Sequence, residues 1–170
     1  MALRLTHEVL ELETAHPFGI ARGTQSSYRV VWVRLTDDDG VEGWGEADPS
    51  SYYGETADTV VAALQRLAPL LPEDPFALEE AEGRLAASLK GNAAARVALS
   101  AALHDLVGKR LGVPLWKLWG LDPAKAPASS FTIGIDAPDV IKAKVREASP
   151  YGILKIKVGT PDDERILRAV

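Results

Sequence analysis

Cysteine is absent from the sequence, which excludes disulfides and thiolate metal sites and makes a reducing compartment unremarkable. No apolar run approaches the roughly 20 residues that a membrane-spanning helix needs. Met1 to Thr14 alternates charge with apolar side chains and lacks the continuous apolar stretch of a secretory signal. Lys and Arg are scattered rather than striped, and the net charge is −5, so nothing suits a phosphate backbone. The chain is therefore expected to be soluble and cytoplasmic, with neither a nucleic-acid nor a membrane partner. There are no internal repeats and no low-complexity segments. What remains is ordinary globular material, 46% apolar and 25% charged over 170 residues, enough for one domain and part of another.

The first third reads as a small antiparallel sheet. Leu3 to Glu13 fits an edge strand, and Tyr28 to Thr36, with Val30, Val31, Val33 and Leu35 around Trp32, is a β-rich run. Asp37-Asp38-Asp39-Gly40 then separates that run from Val41 to Ala47, a hairpin signal. Helical spacing follows. Val60, Leu64, Leu67 and Leu71 predict a helix over 56–71, and Pro75 to Leu89 predicts a second. A third, capped by Asn92, carries Ala95, Leu99, Leu103 and Leu106 on one stripe and stops at Gly112; Pro114 begins a short turn of helix through Leu118.

From Ala128 the pattern changes. Ser129 to Ile135 reads as a strand, Asp139 to Ala148 as a helix, Gly152 to Val158 as a strand. Gly159-Thr160-Pro161-Asp162 opens a further helix still running at Val170. Strand and helix alternating at this spacing imply βαβ units and a parallel sheet. Two strands cannot make a parallel sheet covered on both faces, so the sequence is expected to be the N-terminal portion of a longer protein. The expected domains are residues 1–124, with a Pro- and Ala-rich linker over 121–128, and 125–170, incomplete.

The most informative stretch is Gly152-Ile-Leu-Lys155-Ile-Lys157-Val158. On a strand, Ile153, Lys155 and Lys157 share one face and Leu154, Ile156 and Val158 the other. The all-apolar face suits packing under helices. The first face holds two ammonium groups about 7 Å apart, at a rise of roughly 3.3 Å per residue. Neighbouring cations disfavour each other's charge, and desolvation adds to that. A lysine tuned in this way can take a proton from a carbon acid. The competing reading is a solvated amphipathic strand, but flanking helices imply a covered parallel strand, where charge is costly unless used.

Lys155-Ile-Lys157-Val-Gly159 resembles the lysine-x-lysine strand of the muconate-lactonizing branch of the enolase superfamily. Leu103-His-Asp105 through Trp119-Gly120 is similar to that family's helix–turn before the barrel. Gly43-Trp-Gly45-Glu46-Ala47 resembles the third strand of its capping domain, and Phe131-Thr132-Ile-Gly-Ile-Asp136 the first barrel strand of its dipeptide epimerases. The likeness covers essentially the whole chain. It implies an α+β capping domain followed by the first βα units of a modified TIM (β/α) barrel. It also implies an isomerase that binds a small-molecule carboxylate, such as a dipeptide, with Mg²⁺; the superfamily is a known example of a lysine or histidine base working beside Mg²⁺. By resemblance, Lys157 is the acid/base and Lys155 supports the substrate carboxylate. The second base and three acidic metal ligands would lie on later strands, so the metal ligands are expected beyond Val170 and none in these residues. A homo-oligomer is expected.

Further candidates are substrate-binding. His16-Pro-Phe18-Gly-Ile-Ala-Arg22-Gly23 reads as a loop between capping strands which, in the family, closes over substrate; Arg22 would pair with a distal carboxylate. Tyr53, in a second such loop from Asp48 to Glu55, would line the pocket, and Thr132 would hydrogen-bond the dipeptide backbone. For each there is a plainer alternative: a solvated arginine, an aromatic packed on the rim, a threonine serving the strand. Asp37 to Gly40 lacks the spacing of a calcium loop. His104 and Asp105 are adjacent on a helix and cannot face each other, so Asp105 is expected to anchor a helix end or a neighbouring strand. Within the superfamily the leading expectation is L-Ala-D/L-Glu-type dipeptide epimerisation. The rivals are o-succinylbenzoate synthase or N-succinylamino acid racemase, and muconate cycloisomerase. Outside it, a non-catalytic fragment or binding module stands as the alternative.

Overall fold

A computed structural model describes residues 3–170. They form two compact units: the chain up to Leu12 together with Tyr28–Pro123, and Glu13–Ser27 together with Ala124–Val170.

Strands β1 (Arg4–Ile20), β2 (Gly23–Thr36) and β3 (Glu42–Ala47) form one sheet in the order β1-β2-β3, of which the first unit holds β1 up to Leu12, β2 from Tyr28 and all of β3. β2 and β3 are antiparallel, with Val31 opposite Ala47 and Thr36 opposite Glu42. Asp37 closes the turn between them. Its Oδ1 accepts the amides of Asp39 and Val41, each at 3.0 Å, and Gly40 takes φ +80°, a conformation easy for glycine alone. The residues expected to be a turn rather than a calcium loop are a turn.

Alternation on β2 sends Val31, Val33 and Leu35 to the interior and Trp32 outward. Over that inner face lie α1 (Ala57–Leu67), α2 (Leu78–Ser88) and α3 (Ala93–Leu111), and the short α4 (Leu115–Leu118) follows. Leu64, Leu67, Leu85, Leu99 and Leu103 complete the core. α3 packs flush on β3 because the strand offers Gly43 and Gly45 there. A Cβ on Gly45 would run into the Ala98 carbonyl oxygen, and one on Gly43 into that of Ala102 and to 2.6 Å from Leu106 Cβ.

Three expectations are corrected in this unit. The helix predicted over 56–71 ends at Leu67 and tightens into a 3₁₀ turn, Ala68–Leu70, around Pro69. The helix predicted from Pro75 starts at Leu78. Asn92 does not cap α3 with its side chain, since it sits at φ +50°. Glu55, remote in sequence, accepts the amides of Ala93 (2.6 Å) and Ala94 (3.0 Å). A carboxylate at a helix N-terminus satisfies orphan donors and favours the dipole. Asp105 does anchor a neighbouring strand: its Oδ2 accepts the Trp44 amide at 2.8 Å and the Lys109 ammonium at 2.6 Å.

The second unit contains β4 (Ser130–Ile133), α5 (Pro138–Glu147), β5 (Ile153–Ile156) and α6 (Asp163–Leu167). β4 and β5 are parallel and joined through α5, the βαβ arrangement expected. α6 stops at Leu167 rather than running to Val170. Ile133, Ile141, Ala148, Ile166 and Ala169 form a small core with Leu154 and Ile156 against it.

The segment expected to be a loop, 16–23, is instead mostly strand. β1 continues to Ile20, only Ala21 and Arg22 make the turn, and β2 resumes at Gly23. The resulting hairpin tip joins β4: the Ile135 amide donates to the Gly19 carbonyl at 2.9 Å. That approach needs glycine at residue 19, where a Cβ would strike the Ile135 carbonyl oxygen.

Candidate active site

β5 and the residue after it divide as strand alternation requires. Leu154 and Ile156 turn toward the apolar core, and Ile153, Lys155 and Lys157 share the opposite face. The ladder continues past the last strand residue, since the Lys157 amide donates to the Ile133 carbonyl at 2.9 Å. Val158, expected on the packed face, is 46% exposed, because the strand has ended and Gly159 turns away at φ +122°. The expectation of a strand buried on both sides holds for one face alone: Ile153 and Lys155 are exposed and Lys157 is half-buried.

Thr132 is the register partner of Lys155. Partners in a parallel pair leave the sheet on the same side, so Thr132, Lys155 and Lys157 belong to one surface. The next residue of β4's chain on that side is Gly134. A Cβ there would lie 3.0 Å from the Gly19 amide nitrogen and 3.5 Å from Phe18 Cδ2, so two glycines meet where hairpin tip and strand end cross. Phe18 is thereby brought beside Lys157, whose Nζ lies 6.0 Å from its ring centroid, within reach of a cation–π attraction.

The tip is fastened on its other side by α5. The Lys144 ammonium, only 5% exposed as a residue, donates to the Pro17 carbonyl (3.3 Å) and to Asp136 Oδ2 (3.1 Å). His16 Nε2 lies 2.8 Å from Glu147 Oε2. Burial pushes the Asp136 carboxyl up, but the Ala137 amide, the bond and charge of Lys144 and the charge of His16 together hold it below its ordinary value. Asp136 is thus the ionised partner of a buried ammonium.

The other predicted residues fall elsewhere. Arg22 is exposed at the tip turn. Tyr53 belongs to the first unit, on a 3₁₀ turn (Ser51–Tyr53), 78% exposed and edge-on to Tyr52 at 5.0 Å. Among the described residues, no group of three His, Cys, Asp or Glu side chains is placed to hold a metal, and no helix is long and apolar enough to cross a membrane.

Residues 4–120 match the mandelate racemase / muconate lactonizing enzyme N-terminal domain. The chain belongs to that family. It is 38% identical over 169 residues to the L-Ala-D/L-Glu epimerase of Bacteroides thetaiotaomicron, covering 99% of this chain and 44% of that protein. It is 34% identical over 157 residues to an L-Ala-D/L-amino acid epimerase of a Maribacter species, covering 92% and 46%. Among solved structures, the dipeptide epimerase of Methylococcus capsulatus, complexed with Mg and L-Arg-D-Lys, superimposes with a TM-score of 0.86 at 31% identity, over 99% of this chain and 51% of that one. That of Cytophaga hutchinsonii, with Mg and D-Ala-L-Val, gives 0.88 at 26%, over 99% and 48%. The chain spans about half the length of the curated relatives it matches.

Two features of this family member were not picked out from its sequence. In the sequence Phe18 reads only as part of the loop expected over 16–23. Lys144 does leave a signal: it follows Ile141 by three residues and precedes Ala148 by four, on the stripe that these buried residues define. A lysine in such a stripe is costly unless paired.

Proposed function

We propose that the complete protein is an isomerase that epimerises dipeptides of the L-Ala-D/L-Glu type, by taking and returning the proton α to a carboxylate. The observation that carries this reading is the surface made by Thr132, Lys155 and Lys157 on the parallel β4–β5 pair. A base for a carbon acid must stand within reach of the Cα–H while another group holds the carboxylate. Lys157 is the base on one face of the α-carbon, Lys155 binds and polarises the carboxylate, and Thr132 holds the peptide backbone beside it. Arg22 and Tyr53 are assigned to the substrate's distal parts.

The names of the relatives, several of them dipeptide epimerases, support this reading over the rival reactions. Mg²⁺ belongs to it as the cofactor that stabilises charge on the substrate carboxylate. The described residues of this chain do not build a site for it, so its ligands, like the second base, are assigned to other parts of the complete protein. A cytoplasmic homo-oligomer completes the proposal. Incubating the complete protein with Mg²⁺ and a dipeptide library in D₂O tests it, with α-deuterium uptake read by mass. Uptake lost in Lys157→Ala at one face of the α-carbon supports the assignment; retained exchange at both faces removes Lys157 from the chemistry. Binding without exchange in the wild type would favour a binding module.

A further inference from the structure

We infer that Lys144 is a positioning residue for the Lys157 site, holding the Phe18 ring against the Lys157 side chain through the Pro17 carbonyl. The inference rests on the acid/base role proposed for Lys157.

Three consecutive attachments bracket Phe18. His16 meets Glu147 at 2.8 Å, the Pro17 carbonyl accepts the Lys144 ammonium at 3.3 Å, and the Gly19 carbonyl accepts the Ile135 amide at 2.9 Å. The residue between them is the one whose ring faces Lys157 Nζ at 6.0 Å. Lys144 and Glu147 are three residues apart on α5 and so present neighbouring side chains to the same strip of chain. Of the two side-chain attachments, that of Lys144 is the more buried.

A buried ammonium needs more than one partner to offset its lost hydration. Lys144 has two, Asp136 Oδ2 and the Pro17 carbonyl. Asp136 follows the end of β4 and Pro17 belongs to the tip, so one cation binds three elements: helix, strand end and hairpin. Removing it leaves the part-buried Asp136 without its cation and the Pro17 carbonyl without its donor. The tip then keeps the exposed His16 pair and the Gly19 bond but loses the bond at Pro17, the residue next to Phe18, and with it the ring's fixed place beside Lys157. Because the ring stands at the proton-transferring group, its displacement acts on the chemical step more than on binding.

The test compares Lys144→Met, Lys144→Arg and Phe18→Leu in the complete protein, measuring kcat and KM for α-proton exchange together with amide hydrogen exchange at Ile135. Lys144→Met is expected to speed Ile135 exchange about tenfold or more and to lower kcat about tenfold, with KM moving less than about threefold. Lys144→Arg, still a cation with several donors, is expected to restore most of both. Phe18→Leu is expected to lose kcat comparably while Ile135 stays protected. Unchanged Ile135 exchange in Lys144→Met, or wild-type kcat in Phe18→Leu, overturns the inference. Should Lys144→Met not fold, the kcat of Phe18→Leu and the Ile135 protection of Lys144→Arg decide. A wild-type protein that exchanges no α-proton from any dipeptide overturns the proposed function instead, and the Ile135 result still reports whether Lys144 holds the tip.

Discussion

Thr132 and Lys155 stand side by side across the parallel β4–β5 pair, and their side chains leave the sheet in the same direction. A hydroxyl and an ammonium set next to each other can address adjacent groups of one extended ligand. Lys155→Met is expected to cut kcat/KM by about 10²–10³, the scale of losing one preorganised electrostatic contact. Thr132→Val keeps the shape and is expected to raise KM about tenfold with little change in kcat, as for one lost hydrogen bond. Initial-rate measurements on the complete protein check both. Wild-type kinetics in Thr132→Val would reduce that residue to a strand former.

The sheet-to-helix distance in the first unit depends on Gly45. Gly45→Ala places a methyl group against the Ala98 carbonyl oxygen and 2.9 Å from its carbon, and is expected to destabilise by about 2–4 kcal/mol. Gly83→Ala, inside α2 with nothing near the added carbon, is expected to stabilise by about 0.5–1 kcal/mol. All four tryptophans, Trp32, Trp44, Trp116 and Trp119, lie in this unit, so their fluorescence during urea unfolding reads both effects there. Equal midpoints for the two variants would contradict the close approach.

Glu55 is the N-terminal anchor of α3. Glu55→Ala is expected to cost about 1–2 kcal/mol by the same unfolding measurement. Asn92→Gly, at a residue with φ +50° and no capping bond, is expected to be neutral or mildly stabilising. A larger loss from Asn92→Gly than from Glu55→Ala would return the cap to Asn92.

Asp136 makes the second unit sensitive to acid. Because its folded carboxyl is held below the ordinary value, the unfolded chain binds the proton more readily than the folded one. The stability contributed by the ionised group is complete above the unfolded value of about 4. It is lost as pH falls through the lower folded value. Asp136→Asn is expected to lower the unfolding midpoint near neutral pH and to flatten the further decline below about pH 4. Circular dichroism across that range measures it; parallel acid limbs for wild type and variant would refute the assignment.

Much of this was legible where periodicity reports burial. The alternation of Leu154 and Ile156 against Lys155 and Lys157, and the stripe of Ala95, Leu99, Leu103 and Leu106, each follow from one covered face, and the structure covers those faces. The Asp37–Gly40 turn was legible because its chemistry is local: a carboxylate folds back on amides two and four residues on. The hairpin tip was not. Pro17, Gly19 and Gly23 read as loop residues, and the exposed Thr24 to Ser27 give no apolar alternation. The glycine at residue 19 serves a contact with Ile135, 116 residues away, that no local window contains. Glu55 was not legible for the same reason, since the amides it accepts lie in a distant segment; for Lys144 the stripe on α5 was a local signal, but its contact with Pro17, 127 residues away, was not.

Neither compact unit is a continuous stretch of sequence, because residues 13–27 group with 124–170. A recombination junction in the proline- and alanine-rich connector near residue 124 would therefore exchange the β4–β5 segment without its hairpin tip. It would separate Gly19 from Ile135, Pro17 from Lys144 and Phe18 from Lys157 in one step. Chimeras between relatives crossed at that connector should fail unless residues 13–27 travel with the second parent, so the tip and the strands it meets behave as one heritable block.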